Sequence, residues 1–162
     1  MARKERHVSL TPATQALRAA GIEFTEHVYD YVERGGTAES ARQLGWPEHA
    51  VIKTLVMQDE RGQPLIVLMH GDRQVSTKNL ARAIGTRNVV PCTPEAAQRH
   101  SGYFVGGTSP FGLRKPMPVY VERSVFELER ILINGGRRGY LLGLAPSVLA
   151  QQLGAVPVGC TL

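Results

Sequence analysis

Cysteine is nearly absent from this chain, with Cys92 and Cys160 the only two. Two cysteines cannot build a disulfide framework, and these two lack metal-ligand spacing. A reduced, cytoplasmic setting is the natural expectation. Aromatic residues make up only 6% of the 162 positions, which argues against an extended platform for stacked bases. No Cys-x-x-Cys, His-x-His or His-Glu-x-x-His is present, and the histidines at 7, 27, 49, 70 and 100 are scattered. No metal or other cofactor is therefore expected, and each histidine reads as a surface or structural residue. Long apolar runs are missing too. Gly139 to Leu162 carries no charge, but Pro146, Pro157, Gln151, Gln152 and four glycines break it into pieces too short for a bilayer. It reads as a buried terminal helix and strand. The charged opening MARKERH is followed by no apolar run, so no secretion signal is expected.

What remains is globular in composition, with 43% hydrophobic and 20% charged residues. The net charge of +5 is unevenly placed. Residues 1–66 hold eight Lys/Arg against nine Asp/Glu, whereas residues 67–162 hold eleven against five. A basic second half suits a polyanionic partner such as nucleic acid, because neutralised phosphates release their counterions. A basic surface that simply keeps the protein soluble is the alternative.

Helix boundaries are clearly punctuated. Thr11-Pro12 predicts a helix stopping at Gly21, and Thr37 to Leu44 predicts another ended by Gly45. Further helices are predicted from Ser76 or Thr77 to Gly85, after Thr93-Pro94, and from Pro146 to Gly154. Strands are predicted at 24–29, 51–57, 64–70, 88–90, 118–121, 131–133, 139–142 and 156–158. Gln58 to Gln63, with Arg61-Gly62 inside it, predicts a hairpin. The expected architecture is one mixed α/β domain over residues 11–162, a curved mixed sheet wrapped by short helices, behind a tail of residues 1–10.

Familiar catalytic motifs fail in detail. Gly107 to Gly112 lacks the glycine at 111 that a nucleophile elbow needs, and Leu113-Arg114 stands where a P-loop needs Lys-Ser or Lys-Thr. A Cys92/His100 dyad is conceivable but unsupported by its flanking residues. Three patterns resist a purely structural explanation. Lys53 interrupts the apolar run Ala50 to Met57, where a lysine points outward from an edge, snorkels, or faces a polar cavity. Gly102-Tyr-Phe-Val-Gly-Gly-Thr-Ser-Pro-Phe-Gly112 offers adjacent glycines whose N–H groups can approach an anion, or make an ordinary tight turn. Ile133-Asn-Gly-Gly-Arg-Arg-Gly139 reads as a hairpin turn with a basic tip.

In this order and spacing the three patterns, with Thr11-Pro-Ala before them, resemble the YbaK/ProX family of trans-editing domains, from about Thr11 to Val158. Those domains are similar to the editing insertion of bacterial prolyl-tRNA synthetase. The resemblance implies a compact mixed sheet, partly closed like a barrel, with a pocket for the aminoacylated end of tRNA. It also implies an aminoacyl-tRNA deacylase that removes a mischarged Cys or other small residue such as Ala, most naturally from tRNA(Pro). Aminoacyl-tRNA would be the substrate, and prolyl-tRNA synthetase a candidate partner. Lys53 and Thr54 match the family's Lys-Thr, Gly106 to Pro110 matches its Gly-x-x-x-Pro loop, and Tyr29 matches a pocket tyrosine.

Some positions depart from the cysteine-specific branch. A pocket phenylalanine is not evident in the shortened Val32 to Gly36 segment, Asn134 stands for a pocket serine, and Leu141 for a pocket aspartate. The expected roles follow. The Gly106-Gly107 backbone donates to the carbonyl oxygen as charge develops, and Lys53, assisted by Thr54, holds the terminal phosphate or the carbonyl. Tyr29, Thr108, Ser109, Pro110, Asn134 and Gly135 complete the substrate pocket. Arg114, Lys115, Arg137 and Arg138 are candidates for tRNA backbone contacts, or for a solvated basic face. Attack is by water or by the thiol of a cysteinyl substrate. Two other readings stay open: a non-catalytic tRNA-binding module on the same fold, and a hydrolase of another small ester.

Overall fold

Local capping chemistry sets the helices. The computed structural model describes residues 10–162, so most of the expected tail, with His7, lies outside the described residues. Thr11 caps α1 (Pro12–Ala19) in a capping box with Thr14, and its hydroxyl also donates to the Gly135 carbonyl at 2.6 Å. α2 (Gly36–Leu44) stops at Gly45. Ser76 caps α3 (Thr77–Ile84) and Thr93 caps α4 (Pro94–Ser101), while Pro146 opens α5 (Ser147–Leu153). These boundaries follow the sequence punctuation closely.

Eight strands form one mixed sheet: β1 (Thr25–Val28), β2 (Val51–Asp59), β3 (Pro64–His70), β4 (Val89–Pro91), β5 (Val119–Glu122), β6 (Ile131–Arg137), β7 (Tyr140–Leu144) and β8 (Val156–Val158). Their order is β1-β7-β6-β2-β3-β5-β8, with β4 added beside β2. The sheet is mixed as expected and does not close into a barrel, since β1 and β8 stand at opposite ends. One difference concerns β6, expected to end at Ile133. It runs on to Arg137 through an irregularity between Asn134 and Arg137, because the Asn134 carboxamide accepts from the Gly136 N–H at 2.7 Å and folds the chain locally.

Side chains alternate between the faces of each strand. On one face, Ile52, Val56, Ile66, Leu68, Ile133 and Leu142 pack with residues of α1, α4 and α5. The opposite face carries two separate clusters. Val51, Leu132 and Leu141 pack with Ala41 of α2, while Met57, Leu65, Val67 and Met69 pack with Leu80 and Ala81 of α3. Leu55 packs against the second cluster, and Lys53 occupies the stretch of β2 between the two.

The sheet is also divided along one edge of β2. Val51 and Ile52 pair in parallel with β6, and Met57 to Asp59 pair antiparallel with β4. Cys92 extends the second pairing by donating its N–H to the Val56 carbonyl at 3.1 Å. Between the diverging strands, Lys53 to Leu55 face no strand on that side, although their other edge is fully paired with β3. This split is where the functional features gather.

Candidate functional site

A cavity of about 640 Å³ opens at the split. β2 forms its floor, with Cys92 and Ala97 on the β4 side and Asn134 and Leu141 on the β6–β7 side. The turn at Gly106 and the segment from Tyr29 to Arg34 complete its rim. Such an apolar recess with a few convergent polar groups is the usual form of a small-ligand site.

Lys53 is among the β2 residues that line this cavity. Its ammonium donates to the Arg73 carbonyl at 2.5 Å. Burial holds the lysine below its ordinary value of 10.5, against the opposing pull of the Glu48 and Asp72 carboxylates. Thr54 lines the cavity from the other face of the same strand, and its hydroxyl is buried with no hydrogen-bond partner among the described residues. Adjacent residues of a strand cannot share a face, so both reach one cavity only because the strand edge is open.

The glycine turn is built differently from expectation. The Gly107 N–H donates to the Phe104 carbonyl at 2.8 Å, so that amide is committed inside the turn and is not free for a developing oxyanion. Gly106 is the member of the pair that lines the cavity, and its N–H has no acceptor among the described residues. Its backbone is left-handed (φ 90°), and a Cβ there would stand 2.8 Å from the Tyr31 hydroxyl. Thr108 also lines the cavity, and its hydroxyl donates to the Phe104 carbonyl at 3.3 Å.

Several expected contacts fall elsewhere. Ser109 and Pro110 are buried and absent from the cavity wall, and the Ser109 hydroxyl accepts from the Phe111 N–H at 3.2 Å. Gly135 is also absent from the wall; a Cβ on it would stand 2.6 Å from the Tyr140 ring, so its place in the motif is a packing requirement. Tyr29 and Asn134 do line the cavity. Asn134 works mainly as a brace, donating to the Gly106 carbonyl at 3.1 Å while its oxygen holds Gly136. Leu141, in the place of the family's aspartate, keeps that wall apolar.

Of the four basic candidates, Arg114, Lys115 and Arg137 are exposed and outside the cavity wall. Arg138 is part of the rim, where it donates to the Val105 carbonyl at 2.9 Å and lies 5.0 Å over the Tyr31 ring. Tyr31 was not singled out from the sequence. The Tyr31-Val32 pair, separated from Gly35-Gly36 by Glu33-Arg34, was the available signal, but nothing in it reveals contact with residues 106 and 138.

The remaining candidates resolve simply. Cys92 lines the cavity, but burial raises its pKa and so disfavours the thiolate, and its thiol points to the Gln58 carboxamide at 3.6 Å. His100 is not part of that wall. His70 is fully buried, bonded to the His49 carbonyl and the Ser124 hydroxyl at 2.7 Å each, with the His49 ring stacked 3.7 Å away. His49 also contacts Asp72 at 2.9 Å. This group shapes the 70–73 turn whose carbonyl receives Lys53. Among the described residues no cluster of side chains could hold a metal ion, and no helix is long and apolar enough to cross a membrane.

Comparison with known proteins converges on one family. Residues 33–151 match the family model for the aminoacyl-tRNA editing domain. An Enterococcus faecalis protein bearing the provisional name Cys-tRNA(Pro)/Cys-tRNA(Cys) deacylase EbsC is 28% identical over 90% of each chain. Similarity to the proline–tRNA ligase of Moorella thermoacetica is 30% over 57% of this chain, and spans only 16% of the ligase. Among solved structures, one provisionally described as a trans-editing enzyme for prolyl tRNA synthetase superposes with a TM-score of 0.84 at 22% identity, covering 93% of this chain and 95% of that one.

Proposed function

This chain belongs to the aminoacyl-tRNA editing domain family, and on that premise we propose that it is a deacylase that removes mischarged cysteine or another small amino acid, such as alanine, from tRNA(Pro) in trans. The observation that carries this reading is the cavity at the split edge of β2, which brings Lys53, Thr54 and the Gly106 turn to one apolar recess. The match to the Enterococcus relative covers 90% of both chains, whereas that to the ligase spans only 16% of the ligase. Translation places such a substrate in the cytoplasm.

Among the described residues no activated protein nucleophile lines the cavity, so the attacking group comes from water or substrate. Water adding to the ester carbonyl gives a tetrahedral species that collapses to free amino acid and the ribose hydroxyl of tRNA. With a cysteinyl substrate, its own thiol can attack instead; the sulfur closes a cyclic thiolactone and the thiol proton passes to the departing ribose oxygen. In either route Lys53 provides the positive charge that holds a phosphate or the carbonyl oxygen. Burial reduces the solvation of the ammonium, which favours an added hydrogen-bond partner, while Glu48 and Asp72 oppose the lowering of its pKa. Gly106 supplies an N–H donor from across the cavity. One such donor is worth roughly a hundred- to a thousand-fold in rate. The apolar wall at Leu141 and Val56 suits a small uncharged side chain.

The test is deacylation of cysteinyl-, alanyl- and seryl-tRNA(Pro), with cysteinyl-tRNA(Cys) alongside and Lys53→Ala as control. Release from at least one substrate, reduced about a hundredfold or more in the variant, is expected. Absence of release with tRNA binding retained would instead establish a non-catalytic binding module.

A further inference from the structure

The edge of β2 carries polar groups that no strand or side chain among the described residues uses. The Asp59 N–H donates to the Gln63 carbonyl, on the β3 side of the strand. Main-chain groups alternate in direction along a strand, so those of Ile52, Thr54, Val56 and Gln58 face away from β3. The Cys92 bond to the Val56 carbonyl agrees with that parity. Ile52 pairs towards β6, and Val56 bonds to Cys92 beside β4. Thr54 lies between them, and no strand pairs with it on that side. Its N–H and C=O therefore face the cavity, together with a buried, unpartnered hydroxyl. Buried polar groups of a native protein are almost always satisfied, so the unpartnered Thr54 hydroxyl, beside a free strand edge, marks the place of a ligand.

We propose that the Thr54 main chain binds the aminoacyl group as a one-residue β-bridge, donating its N–H to the ester carbonyl oxygen while its C=O accepts from the substrate's α-ammonium. This inference rests on the deacylase reading and deepens it. An α-amino ester carries a donor nitrogen and an acceptor carbonyl on either side of one carbon, the same arrangement that one residue presents in the hydrogen-bonded pair of an antiparallel ladder. An open strand edge is a template for that arrangement. Recognition of this kind reads the shared part of every aminoacyl ester and leaves side-chain selection to the cavity walls. It also places an N–H on the scissile carbonyl from the strand side, a place the Gly107 amide does not fill because Phe104 occupies it.

Two measurements on the full-length protein decide the matter. The first compares alanyl- with propionyl-tRNA(Pro), and cysteinyl- with 3-sulfanylpropionyl-tRNA(Pro), each rate divided by the uncatalysed hydrolysis of the same ester. Loss of the amino group should lower the normalised rate about tenfold or more. Equal normalised rates, within threefold, would overturn the bridge. So would a penalty that vanishes in Glu33→Gln or Glu39→Gln, since it would assign the ammonium to a carboxylate on the cavity wall. The second replaces the Thr54 main-chain N–H by oxygen, through incorporation of the corresponding hydroxy acid. A fall in kcat of about tenfold or more is expected with the melting temperature retained. An unchanged kcat would overturn the proposal, and if that variant does not fold, the paired esters decide alone. Should the wild type cleave no aminoacyl-tRNA, the deacylase reading itself fails, which is a different result from equal cleavage of the paired esters.

Discussion

At the scale of single residues, burial decides which titratable groups have consequences. Burial is the largest influence holding His70 below its ordinary value of 6.5; proximity to His49 adds to it, and the His49 carbonyl bond, Asp72 and Glu122 oppose it. A group whose folded pKa is depressed takes up protons more readily in the unfolded chain. The neutral ring therefore stabilises the fold fully above pH 6.5, and that contribution declines as pH falls from there through the folded value. An NMR titration of His70 should give a midpoint below 6.5, and an unshifted midpoint would remove this source of acid sensitivity. Gly106 is the other residue whose local geometry matters. Gly106→Ala forces a side chain into a left-handed backbone and against Tyr31, so it should lower kcat about tenfold or more by displacing the turn's N–H. A large fall in melting temperature with little change in kcat would show the turn to be merely structural.

At the scale of elements, α1 and β6 are joined through one threonine. Thr11 accepts from the Thr14 N–H at 3.1 Å to start the helix, and donates to the Gly135 carbonyl to hold the strand. Thr11→Ala removes both interactions and should cost about 2 kcal/mol in urea denaturation, the upper range for a helix cap. Gly135→Ala tests the other side of that joint. The added carbon meets Tyr140 and Leu142 at 2.6 to 3.0 Å, so overpacking of about 1–3 kcal/mol is expected. Both losses would appear as stability, whereas Lys53→Ala should appear as activity. That contrast separates the motif residues that build the site from those offered to a substrate.

At the scale of the whole molecule, charge and shape act together. The basic second half places Arg114, Lys115 and Arg137 on the exterior, outside the cavity, where they are available to a phosphate backbone. Affinity for tRNA should fall with added salt, and removing the partner of one phosphate should flatten the log–log slope by about 0.7–0.9. Arg114→Gln and Lys115→Gln should each reduce that slope while leaving cleavage of a minimal aminoacyl ester unchanged. A salt-independent affinity would turn attention from the tRNA body to its aminoacylated end alone.

Much of the fold was legible because its signals are local. Threonine, serine and proline at helix starts, glycine at helix ends, and unbroken apolar runs in β2 and β3 each act within a few residues, and they set the boundaries regardless of the rest of the chain. The motif pieces around Lys53, residues 106–110 and Asn134 were equally visible as pieces, but their roles were not. Gly107 and Gly135 look the same in sequence as Gly106, yet one gives its N–H to Phe104 and another makes room for Tyr140. Tyr31 and Arg138 meet only because β1, the 104–107 turn and the β6–β7 hairpin converge. The sequence by itself determined the elements, the absence of metal-binding motifs and the family to which the chain is similar. Only the tertiary structure decided that β4 and β6 share one edge of β2 and leave its middle open, because strand pairing depends on residues far apart in the chain, and that opening directs Lys53, Thr54 and Gly106 to one cavity.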